Sequence, residues 1–261
     1  MTIQDADRIV AAVAALGGPF AVRVGGADTY DDEGVVDPQW FPAAELADPR
    51  SSAALEMVAL HAASRGLPVG RHAASLAFQR YCHRLCGVAV AAWVLHGVGL
   101  DLSAGVVSIR FVDATPDLVQ LDRAEAVGDA GPGDVLAGVY DPHLLPVARS
   151  ISAVTGPGLG NLRGNIAAGF AGALRTLSRR GEPGVGPRGL RGRAETLLGA
   201  REELARGGAF RLLDCACGPR LEYDRKTCCH WYAAEGGRFC SWCSRLGHDE
   251  RTCRFLEAAR S

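Results

Sequence analysis

Seven of the nine cysteines fall between residues 215 and 253, and four of them have a spacing that can hold a metal centre. The run Thr227-Cys228-Cys229-His230-Trp231-Tyr232 is followed, after ten residues, by Cys240-Ser241-Trp242-Cys243, giving C-C-x10-C-x2-C. A C-x2-C turn brings two thiolates from one short segment onto one centre. The intervening Glu235-Gly236-Gly237-Arg238 is a reversal that can fold the second pair back on the first. Four thiolates leave two options, tetrahedral zinc and an iron-sulfur cluster. Adjacent cysteines in an extended segment point to opposite faces, which is awkward for a single ion. A 2Fe-2S unit is longer and takes two thiolates at each end. From spacing alone both options stand.

The elements that must position these cysteines can be read from periodicity and punctuation. Helices are expected over 6–16, 52–64, 72–95, 144–154, 159–177, 194–205 and 255–259, and strands over 20–24, 106–112 and 135–140. The 72–95 helix reads as amphipathic, with Phe78, Cys82, Leu85, Cys86, Ala89 and Trp93 on one side and Arg80 and Arg84 on the other. Cys82 and Cys86 lie within its apolar stripe, where a free cysteine packs as a small hydrophobe. In the 159–177 helix, Leu162, Ile166, Phe170, Leu174 and Leu177 make the apolar stripe. Its neighbouring face, Asn161, Asn165, Ala168, Gly172 and Thr176, is small or amide-bearing and lets another backbone or a ligand approach. After Phe210 the chain reads as irregular. The fold class is therefore α+β, predominantly α-helical, with a body over 1–207 and a cysteine-rich segment over 208–261 packed on it. A segment that short, with no long apolar run, cannot build much core alone.

Arg225-Lys226-Thr227-Cys228-Cys229-His230-Trp231-Tyr232 with Cys240-Ser241-Trp242-Cys243 resembles the C-terminal signature of the FhuF family of ferric siderophore reductases, and Asn165-Ile166-Ala167 is similar to an upstream element of that family. The resemblance implies that Cys228, Cys229, Cys240 and Cys243 ligate a 2Fe-2S cluster. It further implies a cytoplasmic oxidoreductase that reduces a ferric siderophore, one with oxygen donors such as hydroxamates, and releases ferrous iron. Reduction is a release step because oxygen donors hold ferric iron far better than ferrous. Each tenfold preference lowers the complex's potential by about 59 mV. Cys215, Cys217 and Cys253 exceed the family's minimal pattern. A zinc-thiolate module, structural or redox-sensing and without enzymatic activity, is the alternative. A part in siderophore biosynthesis is a third reading, since that family is distantly related to part of the siderophore synthetases.

Substrate contacts are expected from Arg163, which sits beside an apolar stripe and needs an anionic partner, from Asn165, and from Trp231 and Arg238 beside the cysteines. Arg225 and Arg245 can favour a more negative cluster. His230 is a candidate donor to the cluster, and His248 with Asp249 reads as a helix start. Gly156-Pro157-Gly158-Leu159-Gly160 misses the dinucleotide fingerprint, so electrons must come from a separate donor such as a ferredoxin or flavoprotein. A net charge of −1 supplies no field for nucleic acid. The N-terminus lacks the pattern of a secretory signal, and the longest apolar stretch, over 85–95, is too short for a membrane span, so a reducing cytoplasm is expected.

Overall fold

The computed structural model describes residues 3–25, 35, 37–128, 131–182, 184–216 and 218–258. Its first elements are α1 (Ile3–Ala14), β1 (Val22–Val24), β2 (Gln39–Pro42), α2 (Ala43–Ala47) and α3 (Ala53–Ser64). Next come α4 (Arg71–His96), β3 (Gly99–Leu100), β4 (Val107–Val112), β5 (Thr115–Leu121) and β6 (Ala126–Val127). A helical run follows, with α5 (Pro132–Val139), α6 (Leu145–Thr155), α7 (Leu159–Arg180), α8 (Pro187–Gly199) and α9 (Glu202–Ala205). The chain then forms a hairpin, β7 (Gly208–Cys215) and β8 (Gly218–Arg225), and a last helix, α10 (His248–Glu257). This is the mainly helical α+β class expected. Among the described residues no helix is long and apolar enough to cross a membrane.

The centre of the fold is the pair α4 and α7, which pack along their lengths. The expected stripe of α7 is fully buried, and each such Leu, Ile or Phe contributes roughly 1.5–3 kcal/mol. The helices come close because Gly169 lies against α4, where a Cβ would sit 3.0 Å from both the Cys82 carbonyl oxygen and the Cys86 sulfur. Cys82 and Cys86 are thus core residues, free and buried, with thiols held protonated by burial. α4 is not the amphipathic helix that its sequence promises. It is buried on nearly every side, as a helix that is apolar or small-residue all round should be, and only a few polar positions such as Arg80 and Arg84 reach the surface.

On the other side of α4 lies a sheet of order β1-β5-β4-β2, with β1 parallel to β5 and the other pairs antiparallel. Asp113 and Ala114, both at positive φ, turn β4 into β5 as a two-residue hairpin loop. The predicted strand over 135–140 is instead α5 and the π turn after it. Val135, Leu136, Val139 and Tyr140 are buried at helical spacing, and Asp134 accepts the Gly131 N–H at 2.9 Å to cap the start. A short β-branched run cannot distinguish the two periods, and the cap decides. The region after Phe210, read as irregular, begins with the β7–β8 hairpin. Its Phe210, Leu221 and Tyr223 join the same core as the helices. Pro187 opens α8 seven residues before the expected start, because proline suits the first helical turn. The last helix begins at His248, where His248 and Asp249 read as a helix start, and so extends ahead of the short helix expected from 255.

Candidate metal centre

The cysteine-bearing segment lies along the small-residue face of α7. Asn161 Nδ2 donates to the Cys228 carbonyl at 2.7 Å. Gly164 faces Thr227, Asn165 Oδ1 accepts from the Arg225 guanidinium at 2.7 Å, and Gly172 faces Trp242. The face expected to admit a backbone or a ligand therefore admits a backbone. A buried ion-pair network holds the hairpin to the same helix: Glu222 of β8 pairs with Arg175 and with Arg179, the latter at 2.8 Å. Arg175 also lies over the Trp242 ring, 4.5 Å from its centroid. From the side of α4, Leu76 packs against Cys229 and Ala234 with Leu67 and Cys240 at the edge.

Within this frame the four cysteines come together. Cys228 lies within electrostatic reach of Cys229 and Cys243, and Cys240 within reach of the same two. His230 takes a left-handed backbone conformation, φ 68, which kinks the chain after the tandem pair and turns its N–H toward the Cys228 sulfur at 3.4 Å. The Cys243 N–H bonds the Cys240 carbonyl at 3.0 Å, closing the second pair's turn. Cys229 and Cys240 are close enough to set each other's protonation. The hydrogen bond from Cys240 pulls Cys229 down to about 6, helped by the Arg225 charge and the Trp231 N–H. Cys240 is pushed up by the same bond and by burial, and burial also raises Cys228.

Arg225 is the largest fully buried side chain. Only one of its guanidinium nitrogens is bonded, to Asn165 and more weakly to Thr227, while Nε and the other terminal nitrogen have no partner. A buried cation without a carboxylate calls for negative charge nearby. Its charge is felt at Cys229 and Cys240. Donor type, donor number and this unmatched cation all fit an anionic thiolate-bound group. As they stand, no three His, Cys, Asp or Glu side chains among the described residues meet as a site for one metal ion.

Two cavities meet at Cys240. The outer groove, about 740 Å³, is lined by Trp231, Arg238, Phe239, Trp242 and Cys253. Trp231 and Phe239 are exposed there. The inner cavity, about 250 Å³, is walled by Cys229 and Cys240 on one side and by His61, Arg65, Arg80 and His83 on the other. Trp231 and Arg238 therefore lie beside the cysteines, whereas Arg163 and Asn165 do not border either cavity. Arg163 sits near Glu203 and Tyr140, and Asn165 is fully buried, bonding Ser75 and Arg225. Cys215 is on β7 with its thiol toward the Leu213 carbonyl, Cys253 is exposed on α10, and Cys217 lies outside the described residues. The inner-cavity residues of α3 and α4 were not singled out by the sequence, because nothing local marks a histidine or arginine that meets a segment more than 140 positions away.

No family model matches the chain, and no curated protein matches it. Among solved structures it is similar to the aerobactin synthetase IucC from a hypervirulent pathotype of Klebsiella pneumoniae, at 13% identity and a TM-score of 0.46. The match covers 88% of this chain and 48% of that one, so the chain spans about half the length of that protein. Nothing that the synthetase does is carried over to this chain on so distant a likeness.

Proposed function

We propose that the protein is a 2Fe-2S oxidoreductase that passes one electron to iron in a ferric siderophore and so releases it as ferrous iron, as the FhuF-type cysteine signature implies. The observation that carries this reading is the unmatched buried charge of Arg225 within electrostatic reach of Cys229 and Cys240. These four cysteines would hold the cluster, which when bound supplies a one-electron donor of low potential. Arg225 adds positive charge that favours the more reduced, more negative state.

The outer groove is the seat for the chelate. Its volume lies in the range of small-molecule sites, its wall includes Cys240, and the exposed Trp231 and Phe239 offer apolar surface beside the Arg238 charge. No acid, base or nucleophile is required of the chain. Its work is to exclude water from one face of the thiols, which Leu76 and Ala234 do, and to leave another face open to the groove. Electrons come from a separate donor, a ferredoxin or flavoprotein.

The test is anaerobic reconstitution of the wild type and of Cys229→Ser, followed by visible absorption, iron and sulfide analysis, and reduction of a ferric hydroxamate with a ferrous trap. The wild type is expected to be coloured, with two irons and two sulfides per chain, and to reduce the chelate. Cys229→Ser is expected to lose colour and rate. A colourless wild type holding one zinc per chain, or a variant with unchanged spectrum and rate, overturns the reading.

A further inference from the structure

A third hollow, about 370 Å³, opens beside the tandem cysteines and has no part in seating the chelate. Arg71 at the start of α4 and Arg245 just after Cys243 line it, both exposed, and no Asp or Glu does. Arg245 stacks on Tyr232, 4.3 Å from the ring centroid, and among the described residues neither arginine has a carboxylate partner. The rings of His72, His230 and Tyr232, with centroids 4.8–6.3 Å apart, add aromatic surface. Gly156 and Gly158, from the glycine run before α7, are exposed in the same lining. A Cβ at either would meet nothing within 4 Å, so another protein's backbone can come close there. The hollow shares no lining residue with the outer groove or the inner cavity. Even so, it is one step from a thiol. His230 lines it and turns its N–H to the Cys228 sulfur at 3.4 Å, and Asn161, also in the lining, holds the Cys228 carbonyl at 2.7 Å.

We infer that this hollow docks the electron donor, and that the donor is a small one-electron carrier protein with carboxylates around its redox centre, of the acidic ferredoxin kind. The inference rests on the reductase reading and names the face its partner uses. Two exposed cations with no internal partner are answered by carboxylates from outside. A free small anion gains little from cations that water reaches, whereas a protein face brings several carboxylates at once and its own apolar contact for the aromatic rings. Electrons then arrive on the Cys228 side and leave on the Cys240 side, so donor and chelate can be bound together. The carrier is oxidised by one electron and the ligated cluster reduced by one; no bond forms or breaks and no proton moves.

Titration calorimetry of the reconstituted full chain with oxidised plant-type ferredoxin tests the inference, with basic cytochrome c as the control of opposite charge. Ferredoxin is expected to bind one to one at low salt and to lose at least about tenfold in affinity between about 0.02 M and about 0.5 M salt, as screening shortens the reach of exposed charges. Arg71→Glu and Arg245→Glu are each expected to weaken it about tenfold. Arg188→Glu, an equal charge change at an exposed position of α8 outside the hollow, is expected to weaken it less than about twofold. A redox-inert gallium hydroxamate is expected to leave ferredoxin affinity unchanged, since the two seats share no residue. No ferredoxin binding to a coloured chain, cytochrome c binding as tightly, an equal effect of Arg188→Glu, or displacement by the gallium chelate overturns the inference and leaves the reductase reading standing. Inorganic phosphate bound through Arg71 and Arg245, with no binding of ferredoxin, overturns it in favour of a small-anion site. A colourless, iron-free chain overturns the reductase reading itself, and the donor's dock falls with it.

Discussion

Replacing Gly164 by alanine tests whether the body of the protein holds the cysteines in place. In the middle of a helix, glycine to alanine normally stabilises by about 0.5–1 kcal/mol. At Gly164 a Cβ would sit 2.0 Å from Thr227 Oγ1, 2.5 Å from its Cγ2 and 2.7 Å from its Cβ. Rotating the threonine cannot relieve the last of these contacts, so the backbone next to Cys228 must shift, against the 2.7 Å bond from Asn161 to the Cys228 carbonyl. Overpacking of this kind costs about 1–3 kcal/mol. The two effects leave a net loss of about 1 kcal/mol, or a fall in Tm of about 2–4 °C for a chain of this size. Gly192→Ala on α8 is the control, since it is exposed with no atom within 4 Å of its Cβ, and it should gain up to about 1 kcal/mol. Thermal unfolding and iron per chain after anaerobic reconstitution read the outcome. Gly164→Ala should lose both stability and iron, and Thr227→Ala in the same chain, by removing the two closest atoms, should restore part of each. If Gly164→Ala is as stable as the control and holds full iron, the docking argument is wrong.

Two further outcomes follow from buried charge. Glu222→Gln removes the partner of Arg175, whose side chain is 10% exposed, so an uncompensated cation remains and the loss should be about 3 kcal/mol, since Arg179 is partly in water. A urea midpoint equal to that of the wild type would count against this. The second concerns acid. Burial, the first cause in each case, lowers His61 and His143 to about 4 and His83 to about 3, against an unfolded value near 6.5. Their neutral forms are favoured in the folded state, so the unfolded chain binds more protons below pH 6.5. Stability is therefore full above pH 6.5 and falls steadily toward pH 4. A flat urea midpoint across that window would show that these rings are not held neutral.

What the sequence made legible here was local. The stripe of α7 was readable because Leu162, Ile166, Phe170, Leu174 and Leu177 repeat at helical spacing, and all five are fully buried. Its small face was readable as a surface of close approach, although not what approaches it. The spacing of the four cysteines was readable as a ligand pattern from the sequence alone. Other features were hidden by period or by distance. The 135–140 run has strand-like residues over too short a window, and in β7–β8 the alternation of Phe210, Leu212, Leu221 and Tyr223 with Arg211, Glu222 and Asp224 is broken by Leu213 on the charged face and Asp214 on the apolar one. Asn165, expected as a substrate contact, is fully buried and bonds Ser75 of α4 and Arg225 of β8. The inner cavity depended on His61 and Arg80 meeting Cys229 and Cys240, a pairing with no local signature.

These contacts also explain how a segment whose Trp231 and Phe239 are exposed can keep Cys229 and Cys243 buried. Residues 226–247 contain no strand or α-helix among themselves, and their own apolar cluster is confined to Cys229 and Ala234 with Leu76 from α4. Their position is set from outside, by Asn161 on the Cys228 carbonyl, by Gly164 under Thr227, by Trp242 against Gly172 and Arg175, and by the Glu235 N–H on the Arg65 carbonyl at 3.0 Å. Arg225 adds an electrostatic constraint to these mechanical ones. Its single strong bond, to Asn165, fixes where the charge sits, and its two unbonded nitrogens leave that charge to be answered by the thiols. Asn165 therefore acts at one remove, by placing on α7 the cation that makes a negative centre favourable at Cys229 and Cys240. A segment placed this way needs little core of its own, because α7 supplies most of its contacts and Arg225 at the end of β8 supplies the buried positive charge beside it.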